Sequence, residues 1–149
     1  MRDTFTAELK LAMKSGDKQR VATLRLVQAA IKDKDIEARG LGKTVGDDDI
    51  LALLQKMIKQ RQESLGIFEK AGREDLAGQE RAEIAIISGF LPKQMDEAAM
   101  AAAIKEAVAA TGAAGMKDMG RVVGALKAKY SGQMDFSRAS ALVKAALTG

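Results

Sequence analysis

Between Ile50 and Phe68 the larger apolar residues keep helical time. At about 100° per residue, Ile50, Leu54, Met57, Ile58, Leu65 and Phe68 fall on one stripe. A period of 3.6 residues held over five turns suits an amphipathic helix and is foreign to the alternation of a strand. The same spacing returns in Leu76, Ile84 and Ile87, in Met100, Ile104 and Val108, and in Phe136, Val143 and Leu147. Between these stretches stand glycines and capping residues, so the sequence predicts an all-α protein. Helices are expected from about Thr4 to Lys14, from the Asp17 cap to Arg39, from Asp47–Asp49 to Ala71, and from Glu74 to Gly89. The only proline, Pro92, forces extension before it and marks a boundary. An N-terminal helical domain is expected over residues 1–92 and a small helical bundle over residues 93–149. In the second part Asp96, Asp118 and Asp135 are expected to cap three short helices. Met95 and Met100 are set as a hydrophobic staple at the first.

Composition narrows the chemistry. The chain contains no cysteine and no histidine. Disulfides, thiol nucleophiles, Cys/His zinc sites and imidazole bases are therefore excluded. Aromatics make up 3% of the residues against 47% hydrophobic overall, so the core is aliphatic and methionine-filled. No signal-peptide pattern opens the chain, since Asp3 and Glu8 interrupt it, and the longest apolar run, Ala98 to Ile104, is too short to span a bilayer. The expected setting is cytoplasmic, with no membrane, no cofactor and no metal. Net charge is +4. Residues 93–149 hold eight Lys and Arg against five Asp and Glu, whereas residues 1–92 are almost balanced, sixteen against fifteen.

Three motifs invite functional readings. Gly40 to Thr44, "GLGKT", suggests a phosphate loop, but the position for its first glycine is Glu37 and the segment follows a helix, so a plain loop is expected. Asp47, Asp48 and Asp49 could face magnesium, yet consecutive acids are what the positive end of a helix attracts. Arg61 lies inside the apolar stripe of its helix, and Glu80 and Glu83 lie inside that of the next. Buried charges survive by pairing, so Arg61, Glu80 and Glu83 are expected to form a structural ion cluster rather than a catalytic carboxylate pair.

The stretch "GRVVGALKAKYSGQMD", Gly120 to Asp135, is the most informative. Val122, Val123, Leu126 and Tyr130 cover the arc expected to face the bundle. Lys117, Arg121, Gly124 and Ala128 fall opposite, flanked by Lys127 and Lys129. Glycine in a helix costs close to 1 kcal/mol relative to alanine, so two of them need a reason. Gly120, at the edge of the core arc, could admit a neighbouring helix; Gly124 could admit a phosphate backbone, with the cations supplying charge. Spacing leaves both readings open.

The segments "LRLVQAAIKDKDIE", "KQRQESLGIFEKAGREDLAGQERAEIAIISGFLPKQM" and "MKDMGRVVGALKAKYSGQMDFSRASALVKAAL" closely resemble the YqeY family. Gly72-Arg73, Leu91-Pro92 and Met119-Gly120 stand at the family's intervals. The family's C-terminal part is similar to the tail domain of GatB, a subunit of the tRNA-dependent amidotransferase. The resemblance implies a helical tail that grips tRNA while another domain performs ATP- and glutamine-dependent chemistry, and that catalytic domain has no counterpart here. It adds weight to a nucleic-acid face at Lys117, Arg121, Gly124, Lys127 and Lys129, with Arg138 and Lys144 on the last helix as outlying members. Where the family often carries a further basic residue after Gly132, this chain has Gln133. The leading expectation is a non-catalytic module for tRNA or structured RNA, working beside an amidotransferase or aminoacyl-tRNA enzyme. The family name also suggests a carbon–nitrogen ligase with glutamine as amido-nitrogen donor, against which stand the missing Cys, His and phosphate loop. A third reading is a helical protein-interaction scaffold using the Gly120/Gly124 face. Oligomeric state is not encoded in any feature of the sequence.

Overall fold

A computed structural model describes residues 1–148. These form seven α-helices: α1 (Arg2–Ser15), α2 (Lys18–Gly40), α3 (Asp47–Lys70), α4 (Glu74–Ser88), α5 (Glu97–Thr111), α6 (Met119–Tyr130) and α7 (Phe136–Thr148). A single 3₁₀ turn, Met116–Asp118, leads into α6, and no strand occurs among the described residues. The protein is all-α. It divides into two compact units, Met1–Leu91 and Pro92–Gly149, at the peptide bond that precedes the proline.

Local chemistry sets most of the helix ends. The Asp17 carboxylate accepts the Arg20 N–H at 3.0 Å, and Asp96 accepts that of Ala99 at 2.8 Å. Asp135 accepts from Ser137 and Arg138 at the start of α7. At α3 the third acid, Asp49, accepts the Gly46 N–H at 2.9 Å. Asp118 behaves differently from expectation. It occupies the position before α6 but makes no side-chain cap. Its Oδ2 instead accepts the Ala114 N–H at 3.0 Å, closing the loop behind the helix.

In the first unit α1 packs on α2, α2 on α4 and α3, and α3 on α4. Phe5, Leu24, Val27, Ile31, Ile50, Leu53, Leu54, Met57 and Ile87 make the core. Phe90 packs against this core, its ring centroid 4.8 Å from that of Phe5, and the Arg20 guanidinium lies 5.6 Å over Phe90. Leu65 and Phe68, expected with Ile50 and Leu54, are only half-buried.

The second unit is a three-helix bundle in which α5, α6 and α7 touch pairwise. Met100, Ala103, Ile104, Val122, Leu126, Met134, Ala139 and Val143 are its core, with Met95 packed against them. Met134 sits between helices and is fully buried, which no periodicity could announce. Gly132 adopts φ +78° just before it, a conformation costly for other residues. The Gly132 carbonyl accepts from Gln94 Nε2 at 2.6 Å, and the Gln133 carbonyl accepts the Met95 N–H at 2.8 Å, tying the start of the unit to the α6–α7 loop.

Leu126 is 1% exposed at the centre of this bundle. Leu126→Ala is expected to cost about 2–5 kcal/mol in urea unfolding; a loss well under 1 kcal/mol would mean that this side chain is not the packing centre.

Candidate nucleic-acid interface

The inner and outer faces of α6 are set by its aliphatic residues. Val122 and Leu126 are buried, while Val123 and Tyr130 complete the inner arc half-buried. Gly120, Gly124 and Ala128 are then exposed on the opposite side, with Arg121 and Lys127 at its two edges. A Cβ built on Gly120 or Gly124 would meet nothing within 4 Å. No helix of its own unit approaches through Gly120, so the packing explanation for that glycine is corrected: within the bundle both glycines face open space. The result is a smooth strip a little over two turns long with cations beside it.

The structure brings only some of the seven predicted residues together. Lys117 lies on the 3₁₀ turn rather than on α6, and its charge and that of Arg121 both act on Asp118. Arg121 Nη2 donates to Asp118 Oδ1 at 2.9 Å. The Asp118 carboxyl is held below its usual range, first by the Ala114 N–H and then by these cations. Lys127 reaches over the Phe136 ring at 5.9 Å. Lys129 turns away from the strip to Glu106 of α5, with Nζ 3.4 Å from Oε1, and that carboxylate raises the lysine's pKa. Arg138 pairs with Glu97, also on α5. Lys144 is exposed on α7 with no ion pair among the described residues. Lys117, Arg121, Gly124 and Lys127 therefore share a surface, while Lys129 and Arg138 are drawn to the acids of α5.

The other motifs resolve in favour of structure. In the Gly40–Thr44 loop the Leu41, Gly42 and Lys43 amides donate to carbonyls of Ala38, Arg39 and Ala38. They close the end of α2 and are not presented as a phosphate cradle. No group of three or more acidic side chains among the described residues is placed to hold a metal ion. No described helix is long and apolar enough to cross a membrane.

A family profile described as Yqey-like protein matches residues 2–147. The chain belongs to the YqeY family. Its curated relatives include proteins named altered inheritance of mitochondria protein 41, mitochondrial. That of Lachancea thermotolerans is 38% identical over 84 residues, covering 56% of this chain and 44% of the relative. That of Pyrenophora tritici-repentis is 38% identical over 85 residues, covering 56% and 45%. That of Eremothecium gossypii is 32% identical over 119 residues, covering 80% and 61%. The matches thus span about half the length of these relatives.

In this YqeY chain the expected ion cluster forms in part. Arg61 Nε donates to Glu83 Oε2 at 2.9 Å and its Nη1 to the Met57 carbonyl at 3.1 Å. Glu83 is 7% exposed and accepts in addition from Gln79. Glu80 stands apart. Its Oε2 is buried with no hydrogen-bond partner, and burial, reinforced by Glu83 and opposed by Arg61, raises its pKa.

Two predictions come from these residues. A raised carboxyl pKa means that the folded chain holds a proton that the unfolded chain has released, so stability falls as pH climbs from the ordinary glutamate range, about 4.3, through the raised value. Glu80→Gln is expected to be more stable than wild type at pH 7.5, with the advantage shrinking by pH 4; an advantage equal at both pH values would contradict the assignment. Gly124→Ala is expected to stabilise the chain by about 0.5–1 kcal/mol in urea titrations, because the site is helical and open. A destabilised variant would reveal a contact at that face.

Proposed function

We propose that this YqeY-family chain is a non-catalytic helical module that binds tRNA or structured RNA through the outward strip of α6, in association with tRNA-dependent amidation. The observation that carries the reading is the pair of exposed helical glycines. Each weakens the helix, neither is needed for packing, and Lys117, Arg121 and Lys127 surround them. Lacking side chains, Gly120 and Gly124 let a sugar–phosphate backbone come against the helix while the cations take its oxygens.

The existing ion pairs do not stand in the way. Exposed pairs such as Arg121–Asp118 are worth about 0–1 kcal/mol, so Arg121 can exchange its carboxylate for a phosphate at little cost. Recognition is led by shape and charge, since the two aromatic rings of this unit, Tyr130 and Phe136, are half-buried and lie under lysines rather than standing free for bases. Phosphate contacts alone give Kd values on the order of 10⁻⁴ to 10⁻⁶ M. An amidotransferase or aminoacyl-tRNA enzyme acting as partner would supply the remaining contacts. The cytoplasmic setting expected from the sequence belongs to this proposal, and the relatives bear a mitochondrial name.

The test is tRNA binding followed from 50 to 200 mM salt for wild type and for Lys117→Ala combined with Arg121→Ala. The double variant is expected to bind more weakly, with the slope of log K against log salt reduced by about one per lost contact. Superimposable curves would remove the strip from the interface.

A further inference from the structure

The first unit carries a second unspent row of positive charge. The inner face of α2 is fixed by Leu24, Val27 and Ile31, which lie in the core. On its outer face Lys18, Arg25, Lys32 and Arg39 recur every seven residues, and all four are exposed. At 1.5 Å per residue they stand about 10 Å apart in a row about 30 Å long. The row drifts only about 20° round the helix per step. Between them Ala22, Ala29 and Ile36 are also exposed, so most of the intervening surface is low. Lys18 and Arg25 line a groove of about 370 Å³ together with Ala12, Met13 and Val21.

Charge pairing on α2 is uneven. Away from this row most charges are engaged: Arg20 with Glu8, Lys34 with Glu37, and Asp35 with both terminal nitrogens of Arg2. The four cations of the row make no ion pair and no hydrogen bond among the described residues. Arg39 feels Asp35, whose oxygens Arg2 already occupies, and Asp33 stands beside Lys32 as the nearest unengaged acid on the helix.

From this placement we infer that the outer face of α2 is a second track for the phosphodiester backbone of RNA, gripped independently of the α6 strip. Cations about 10 Å apart in a line cannot converge on one small anion; they match an extended polyanion. A bilayer surface fits less well, because membrane-lying helices insert a broad face of large apolar residues, whereas here Leu24, Val27 and Ile31 are in the core and only Leu26 and Ile36 remain exposed on α2. An acidic helix fits less well too, since Ala22 and Ala29 are small and Ile36 alone would bury little apolar area in a seam.

This inference rests on the RNA reading above, and the experiment separates the two. Full-length wild type is compared with Arg25→Gln/Lys32→Gln/Arg39→Gln, with the α6 double variant, and with both sets combined. Fluorescently labelled unfractionated tRNA is the probe, with phosphatidylserine-containing vesicles as a second one. Circular dichroism and the urea midpoint report folding, and Arg25→Lys/Arg39→Lys serves as the charge-conserving control. The triple glutamine variant is expected to lose about tenfold in tRNA affinity at 50 mM salt and about two to three from the salt slope, additively with the α6 variant. The lysine control is expected to bind as wild type does. Wild-type affinity and slope in the triple variant, with binding still weakened in the α6 variant, would overturn the second track alone. No tRNA binding by wild type would overturn both readings. Vesicle binding that the triple variant loses, with tRNA binding unchanged, would reassign the row to membranes and overturn the inference.

Discussion

Burial of a single aliphatic stripe on each helix is the interaction on which both units rest. Without disulfides or a large aromatic core, cohesion falls to Leu24, Val27, Ile31, Leu54 and Ile87 in one unit and to Met100, Ile104, Leu126, Met134 and Val143 in the other. A stripe of that kind occupies about a third of a helix's circumference. The opposite side is thereby left to other chemistry. On α6 that side carries two glycines that weaken the helix, and on α2 a row of cations without partners. Neither feature helps the fold, which is why both are proposed to serve binding.

The charges divide into three kinds by environment. Arg61 and Glu83 are nearly buried and hold each other, so removing either partner would strand the other away from water. Arg121, Lys129 and Arg138 are exposed and paired with Asp118, Glu106 and Glu97, an arrangement that solvent screens and a phosphate can replace. Lys117, Lys144 and the α2 row have no ion-pair partner among the described residues. Electrostatics in this chain therefore contributes to structure at one buried point and leaves the cations of its exposed helix faces available for the recognition proposed above.

What the sequence disclosed follows the range of each interaction. Asp17, Asp96 and Asp135 were legible as caps because their partners lie two or three residues away. Asp118 was misread because its partner, the Ala114 amide, lies behind it in a loop whose path the local pattern does not fix. Ile50, Leu54 and Met57 followed from periodicity, whereas the half-burial of Leu65 and Phe68 depends on what packs beyond the α3–α4 pair. Met134 belongs to no periodic segment and was missed. At the candidate interface the outward positions of Arg121, Gly124 and Lys127 could be read from helical spacing. The turn of Lys129 towards Glu106 could not, since it depends on where α5 lies beside α6. The α2 row passes unnoticed in the sequence, because a seven-residue spacing of cations means little until the fold shows that their side chains have no partners among the described residues.

The central claim, that RNA lies against the outward strip of α6, is tested most directly by titrating the ¹⁵N-labelled full-length chain with tRNA and following backbone amides by NMR. The account predicts that Lys117, Gly120, Arg121 and Gly124 shift or broaden first, while the buried Val122 and Leu126 and the Arg61–Glu83 region of α3 and α4 change least. Perturbation centred on α3 and α4, with the Gly120 and Gly124 amides unmoved, would contradict it.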